Sequence, residues 1–206
     1  MSGGDGDKAA APHWLDEPGN VARLVLLQGV LFFGIGLAIW YASGRDPRAF
    51  VRLEGRDLLV GLATGGALIG AMQAIAWAVP GFIAWAAREQ RLLFAHGRLY
   101  RTAHIWMLSA AAGVGEEALF RGGLQTIAAD HMPGWAAILA ASLLFTVIHL
   151  ASAGIAAFIF ALSLVFGLVY HFTGSLPGMM VAHMLFDVWA LALIQAELVR
   201  QNVVRG

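Results

Sequence analysis

Six long apolar runs, at residues 21–41, 58–87, 103–128, 134–150, 155–172 and 176–199, dominate this sequence and leave few folds open to it. A helix needs about 20 predominantly apolar residues to cross a bilayer, because each residue advances the chain by only about 1.5 Å. The fold expected is therefore all-α, a polytopic integral membrane protein of about six transmembrane helices. Residues 21–200 would form one transmembrane domain. Composition points the same way: 59% of the 206 residues are hydrophobic and 13% are charged, against about 25% charged in soluble proteins. The mean hydropathy is +0.72. Twenty-five glycines and a near absence of lysine suit membrane helices packed backbone to backbone. With no cysteine, disulfides, thiolate nucleophiles and cysteine zinc sites are excluded. A formal net charge of zero gives no hint of nucleic-acid binding.

Residues 1–20 are rich in Gly and Asp and lack a basic stretch before an apolar run, so they read as a mobile cytoplasmic tail rather than a signal peptide. The second run is long and contains Pro80, which should kink or break it. It also holds Gly61-x-x-x-Gly65 and Gly66-x-x-x-Gly70, a packing signal without functional weight. No internal repeat is evident. Six crossings put both termini on one side, with Lys8, Arg23, Arg88, Arg91, Arg98, Arg101, Arg200 and Arg205. Arg45, Arg48, Arg52 and Arg56 fall on the other side, so cytoplasmic termini are expected. The compact six-helix form and short tail suggest a bacterial inner or plasma membrane. Trp40, Tyr41, Trp106, Trp135 and Tyr170 lie near the predicted helix ends and read as an interfacial belt.

Against this background a few polar residues stand out. Glu116, Glu117 and Arg121 interrupt the third run, His149 closes the fourth, and His183 and Asp187 lie in the sixth. Three charges in one spanning helix cost about 8–10 kcal/mol on additive insertion scales, so they persist only if they face a polar interior. Glu117 and Arg121, Phe145 and His149, and His183 and Asp187 are each four residues apart, so each pair shares a helix face. Counted at about 1.5 Å per residue, their depths are compatible with one buried polar site. A Glu117–Arg121 pair by itself could simply neutralise two buried charges, but Glu116 would remain unpaired. Either histidine alone reads as a hydrogen-bonded core residue, and Asp187 alone as a packing contact to His183. His13, His96, His104, His131 and His171 lie in the tail, loops or helix ends and are not assigned to the site.

A carboxylate facing an imidazole can deprotonate water for attack on a peptide carbonyl. In that reading Glu116 is the general base and His149 positions the water. Glu117 and Arg121 support Glu116 from behind. His183 is a donor to the oxyanion, with Asp187 either orienting it or donating while protonated. Two alternatives use the same residues. His149, His183 and one carboxylate could ligate zinc as an added cofactor. A non-proteolytic scaffold or proton relay could also use buried Glu and His. No H-E-x-x-H motif is present.

Glu116-Glu117-x-x-x-Arg121, Phe145-x-x-x-His149 and His183-x-x-x-Asp187, in this order on separate apolar runs, resemble the motif set of the CPBP (ABI) family. These are the CAAX-processing and bacteriocin-processing intramembrane endopeptidases, and the resemblance covers residues 103–199. It implies an all-helical intramembrane protease with its site in a conical cavity open to the cytosol. It further implies that Glu116 and His149 activate water while His183 and residue 187 form the oxyanion hole, with no metal cofactor. The partners it implies are membrane lipid and a peptide or membrane-anchored protein substrate. Substrate identity and oligomeric state stay open at this level.

Overall fold

The computed structural model describes residues 17–94, 98–149 and 151–204. The tail expected at residues 1–20 lies outside them through residue 16, as do Lys8, His13, His96, Leu150 and Arg205. Its last three residues, Pro18 to Asn20, belong instead to the first helix. The described chain is all-helical, without a ladder-forming strand.

Local chemistry sets the helix boundaries. Pro18 opens α1 (Pro18–Ala42) at a position where its missing N–H costs nothing. Asp46 accepts from the Arg48 backbone N–H at 2.9 Å and Pro47 starts the short α2 (Pro47–Val51). In α3 (Gly55–Ala78) the Asp57 carboxylate reaches back to the Glu54 N–H at 2.8 Å. Pro80 and Gly81, the latter at φ 83°, then end α3 and turn the chain into α4 (Phe82–Glu89). The second apolar run is thus two helices rather than one kinked span. A 3₁₀ turn (Arg91–Phe94) leads toward α5 (Thr102–Glu117), which continues through a π-helical stretch (Ala118–Gln125) into α6 (Thr126–Ala129). The chain closes with α7 (Gly134–Ile148), α8 (Ala153–Thr173) and α9 (Leu176–Arg200).

Among the described residues four helices, α1, α3, α8 and α9, are long and apolar enough to cross a membrane. The other two of the six runs differ for identifiable reasons. Residues 102–129 are interrupted by charges and by the π-helical stretch. The 15 residues of α7 reach only about 22 Å, short of a hydrocarbon core of about 30 Å. Polar contacts tie the elements together at two ends of the bundle. At one end Glu17 pairs with Arg98 at 2.6 Å, and the Tyr100 N–H donates to Gln195 at 2.7 Å. Ser152 there bonds Glu89. At the other end Arg45 meets Asp130 at 2.6 Å and Arg56 donates to the Thr173 carbonyl at 2.9 Å. Each end has its own apolar cluster, Ala22, Phe94, Tyr100 and Leu198 at the first and Phe50, Tyr170, Leu176 and Met179 at the second.

Glycine lets the central helices touch. On α1, Gly29 and Gly36 lie against the backbones of Ala111 and Ala118. Gly61 and Gly65 of α3 face Gly178 and Ala182 of α9, whereas Gly66 and Gly70 have nothing near them. A methyl group at Gly36 would overlap the Ala118 carbonyl, while Gly34 has open space. Gly36→Ala is therefore expected to cost about 1–3 kcal/mol through overpacking. Gly34→Ala should be neutral or slightly stabilising, and thermal melts in detergent compare the two. Of the expected aromatic belt, Tyr41 and Trp135 are exposed, but Tyr170 is buried and its hydroxyl meets Thr126 at 2.8 Å.

The hydrogen bond from Arg45 holds the Asp130 carboxyl below its ordinary value of 3.8. Stability from this pair is present above that value and is lost as pH falls through the depressed pKa. Asp130→Asn should narrow the difference between melts at neutral and strongly acidic pH, and an unchanged difference would count against the pair.

Candidate active site

The polar residues of the third, fourth and sixth runs meet between the two apolar clusters. Glu116 and Glu117 form the last turn of α5, His149 caps the C-terminus of α7, and His183 and Asp187 lie one turn apart on α9. Glu116 Oε2 is 4.0 Å from His149 Nε2 and 3.9 Å from His183 Nε2. His183 Nδ1 is 2.8 Å from Glu117 Oε1, and its Nε2 is 3.6 Å from Asp187 Oδ2. Arg121 Nη1 approaches Glu117 Oε1 at 3.2 Å, an ion-pair contact without hydrogen-bond alignment. All six residues singled out in the sequence therefore stand within one chain of contacts.

Hydrogen bonding assigns the tautomer of His149. Its Nδ1 lies 2.6 Å from the Phe145 carbonyl, which can only accept, so Nδ1 carries the proton. In the neutral ring Nε2 is then a free acceptor, and it is this atom that faces Glu116. His183 is held differently. Its Nδ1 meets a carboxylate that Arg121 also approaches, and its ring stacks on Phe166 at 5.1 Å and 18°. Exposure is graded across the cluster. Glu117 and Arg121 are fully buried, and the Glu116 and His183 side chains keep 10% and 9%. His149 and Asp187 keep 29% and 25%, the most exposed of the six.

Three supporting features were not anticipated from sequence. The first is the π-helical stretch, whose wider turn re-aims Arg121 relative to the glutamates; Thr126 satisfies the Arg121 carbonyl with a 2.7 Å hydroxyl bond. The second is Ser163 of α8, whose carbonyl and hydroxyl both accept from Arg121 Nη2, at 2.8 and 2.9 Å. The third is an aromatic clamp, with the Arg121 guanidinium 5.0 Å from the Phe145 ring and 5.7 Å from Phe166. The Gly122-Gly123 pair hints at the first, since Gly122 abuts Phe50 and Leu176 while Gly123 abuts Gly36. Ser163 and Phe166, in an apolar run, carry no comparable signal, whereas Phe145 already belongs to the Phe145-x-x-x-His149 pair.

Among the described residues, no group of three His, Cys, Asp or Glu side chains is arranged to hold a metal ion. The zinc alternative, with His149, His183 and a carboxylate as ligands, finds no support in this geometry. Two pockets lie elsewhere. A groove of about 520 Å³ runs between α5 and α9 near Trp106 and Gln195. A polar pocket of about 210 Å³ at the opposite end is lined by Arg45, Gln125 and Tyr170. Neither is lined by Glu116, His149 or His183.

The described chain is thus helical, carries four helices apolar enough to cross a membrane, and buries a carboxylate–imidazole cluster. Residues 98–189 match the family model of the type II CAAX prenyl endopeptidases, Rce1-like, in agreement with the resemblance carried by the motifs. That family is one of proteases, and the matched segment contains every residue of the cluster from Glu116 to Asp187. No curated protein and no solved structure matches the chain at a significant level.

Proposed function

We propose that this protein is an intramembrane endopeptidase that hydrolyses a peptide bond with water activated by Glu116 and His149. The observation that carries this reading is the spacing between Glu116 Oε2 and His149 Nε2. At 4.0 Å they are too far apart to bond each other. A water about 2.8 Å from each fits between them at a near-right angle. Such a water donates one hydrogen to the carboxylate and one to Nε2, leaving its lone pairs for a carbonyl carbon. Glu116 takes the proton as the C–O bond forms, then returns it to the departing amine as the C–N bond breaks.

His183 supplies the electrophilic side. With Nδ1–H directed to Glu117, its Nε2 donates to an oxyanion when the ring is an imidazolium. Glu117, Asp187 and Glu116, at 2.8, 3.6 and 3.9 Å, match that charge. Asp187, one turn along α9, orients the ring. The chain crosses the membrane six times with cytoplasmic termini, and α7 is the short crossing that lets water reach His149. Its substrate is a membrane-associated peptide or protein, and the activity requires no metal cofactor.

Comparing new N-termini in membranes of cells carrying the wild type or Glu116→Gln tests this reading. Substrates should accumulate uncut in the variant. If the variant reproduces every wild-type cleavage and phenotype, a scaffold reading replaces this one. Treatment of the purified wild type with a strong chelator should leave its rate unchanged. Loss of activity that returns with added zinc would reinstate the metalloprotease alternative.

A further inference from the structure

We infer that Ser163, on a helix without any of the ionisable site residues, is a positioning residue that keeps the Arg121 cation directed at Glu117 and away from Glu116. The inference rests on the proteolytic reading above and extends it to α8. Arg121 is a fully buried cation with two carboxylates on the preceding turns, Glu116 at i−5 and Glu117 at i−4. Paired with Glu116 it would occupy the lone pairs that the attacking water needs. Paired with Glu117 it fixes the carboxylate that holds His183 Nδ1. The choice between the two is set from the far side of the guanidinium.

There Nη2 donates to both the Ser163 carbonyl and the Ser163 hydroxyl, at 2.8 and 2.9 Å. Phe145 and Phe166 restrict the guanidinium through its faces, so the two Ser163 oxygens fix its rotation within the clamp. Phe166, three residues along the same helix, also stacks on His183. The result is a continuous relay across three helices: Ser163 to Arg121, Arg121 to Glu117, Glu117 to His183. Ser163 is itself 1% exposed, so no solvent competes for its hydroxyl. Removing that hydroxyl leaves one acceptor and frees the guanidinium to turn.

The test uses the full-length protein with ¹⁵N-labelled histidine in lipid nanodiscs, as wild type, Ser163→Ala and Ser163→Thr. Ring-nitrogen chemical shifts report where the His183 protons sit, assigned by loss of its signals in His183→Gln. In the wild type, Nδ1 should carry a proton directed to Glu117. Ser163→Ala should shift the His183 signals and slow the Glu116-dependent membrane cleavages by about 10–100-fold, the scale seen when outer-shell support of metal-ligating residues is removed. Ser163→Thr, which keeps the hydroxyl, should restore both. The inference is overturned if Ser163→Ala leaves the His183 signals and cleavage unchanged. It is equally overturned if both variants lose thermal stability together, which would make Ser163 a packing residue. Because the NMR signals do not depend on turnover, failure of the proteolytic reading is separately visible as absence of Glu116-dependent cleavage in the wild type.

Discussion

Glu116→Gln should lower the rate of peptide hydrolysis by about 10²–10⁴-fold, the usual contribution of a positioned general base. The substitution keeps the shape of the side chain and one acceptor oxygen but removes the ability to take a proton. Glu116 is 8% exposed, and the His149 and His183 ring nitrogens that face it stand at 4.0 and 3.9 Å, so no tight ion pair is lost. Folding should therefore be retained, and the melting temperature in detergent should stay within a few degrees of wild type. His149→Ala should cost a comparable factor, because the acceptor opposite Glu116 is lost while α7 remains capped through its backbone. Rates are measured on a substrate found to accumulate in Glu116→Gln membranes. Near wild-type rates in both variants would remove the chemical basis of the proposal.

The largest effect on stability should come from Arg121→Met. The guanidinium is 1% exposed and compensates Glu117, which is fully buried and has one oxygen without any hydrogen-bond partner. Removing the cation leaves a buried carboxylate beside His183 alone, and breaking a buried pair in this way costs about 3–5 kcal/mol. The double variant Glu117→Gln/Arg121→Met removes both charges together and should be more stable than Arg121→Met. Strong non-additivity in thermal or chemical unfolding is the expected signature, since the residues share one network. Activity should be lost in both variants, because Glu117 loses the cation that fixes it against His183 Nδ1 in the first and loses its own charge in the second. Simple additivity of the single substitutions would show that the pair does not act as a unit.

Much of this architecture was legible because membrane constraints simplify sequence. Apolar runs of about 20 residues can only be helices there, so the ends of α1, α8 and α9 fall within a few residues of the run boundaries. The division at Pro80 was half visible: proline announced an interruption, but only Gly81 at φ 83° makes it a turn between two helices. The i,i+4 spacings grouped Glu117 with Arg121 and His183 with Asp187 because those contacts lie within single helices. What joins them runs between helices and leaves no periodic mark. Ser163 reaches Arg121 across 42 positions, and Glu117 reaches His183 across 66. The π-helical stretch was invisible for another reason. Its residues are ordinary helix formers apart from Gly122 and Gly123, and its geometry follows from packing against Phe50, Leu176 and Gly36.

The central claim, that Glu116 activates water rather than attacking the peptide itself, is tested most directly by a single turnover in H₂¹⁸O. Purified enzyme in excess is mixed with an accumulated substrate, and both product and enzyme are analysed by mass spectrometry. Water activation predicts one ¹⁸O in the new C-terminal carboxylate of the product and none in the enzyme peptide containing Glu116. Label in the Glu116 side chain, or a covalent adduct on it, would instead mark the carboxylate as a nucleophile and contradict the account.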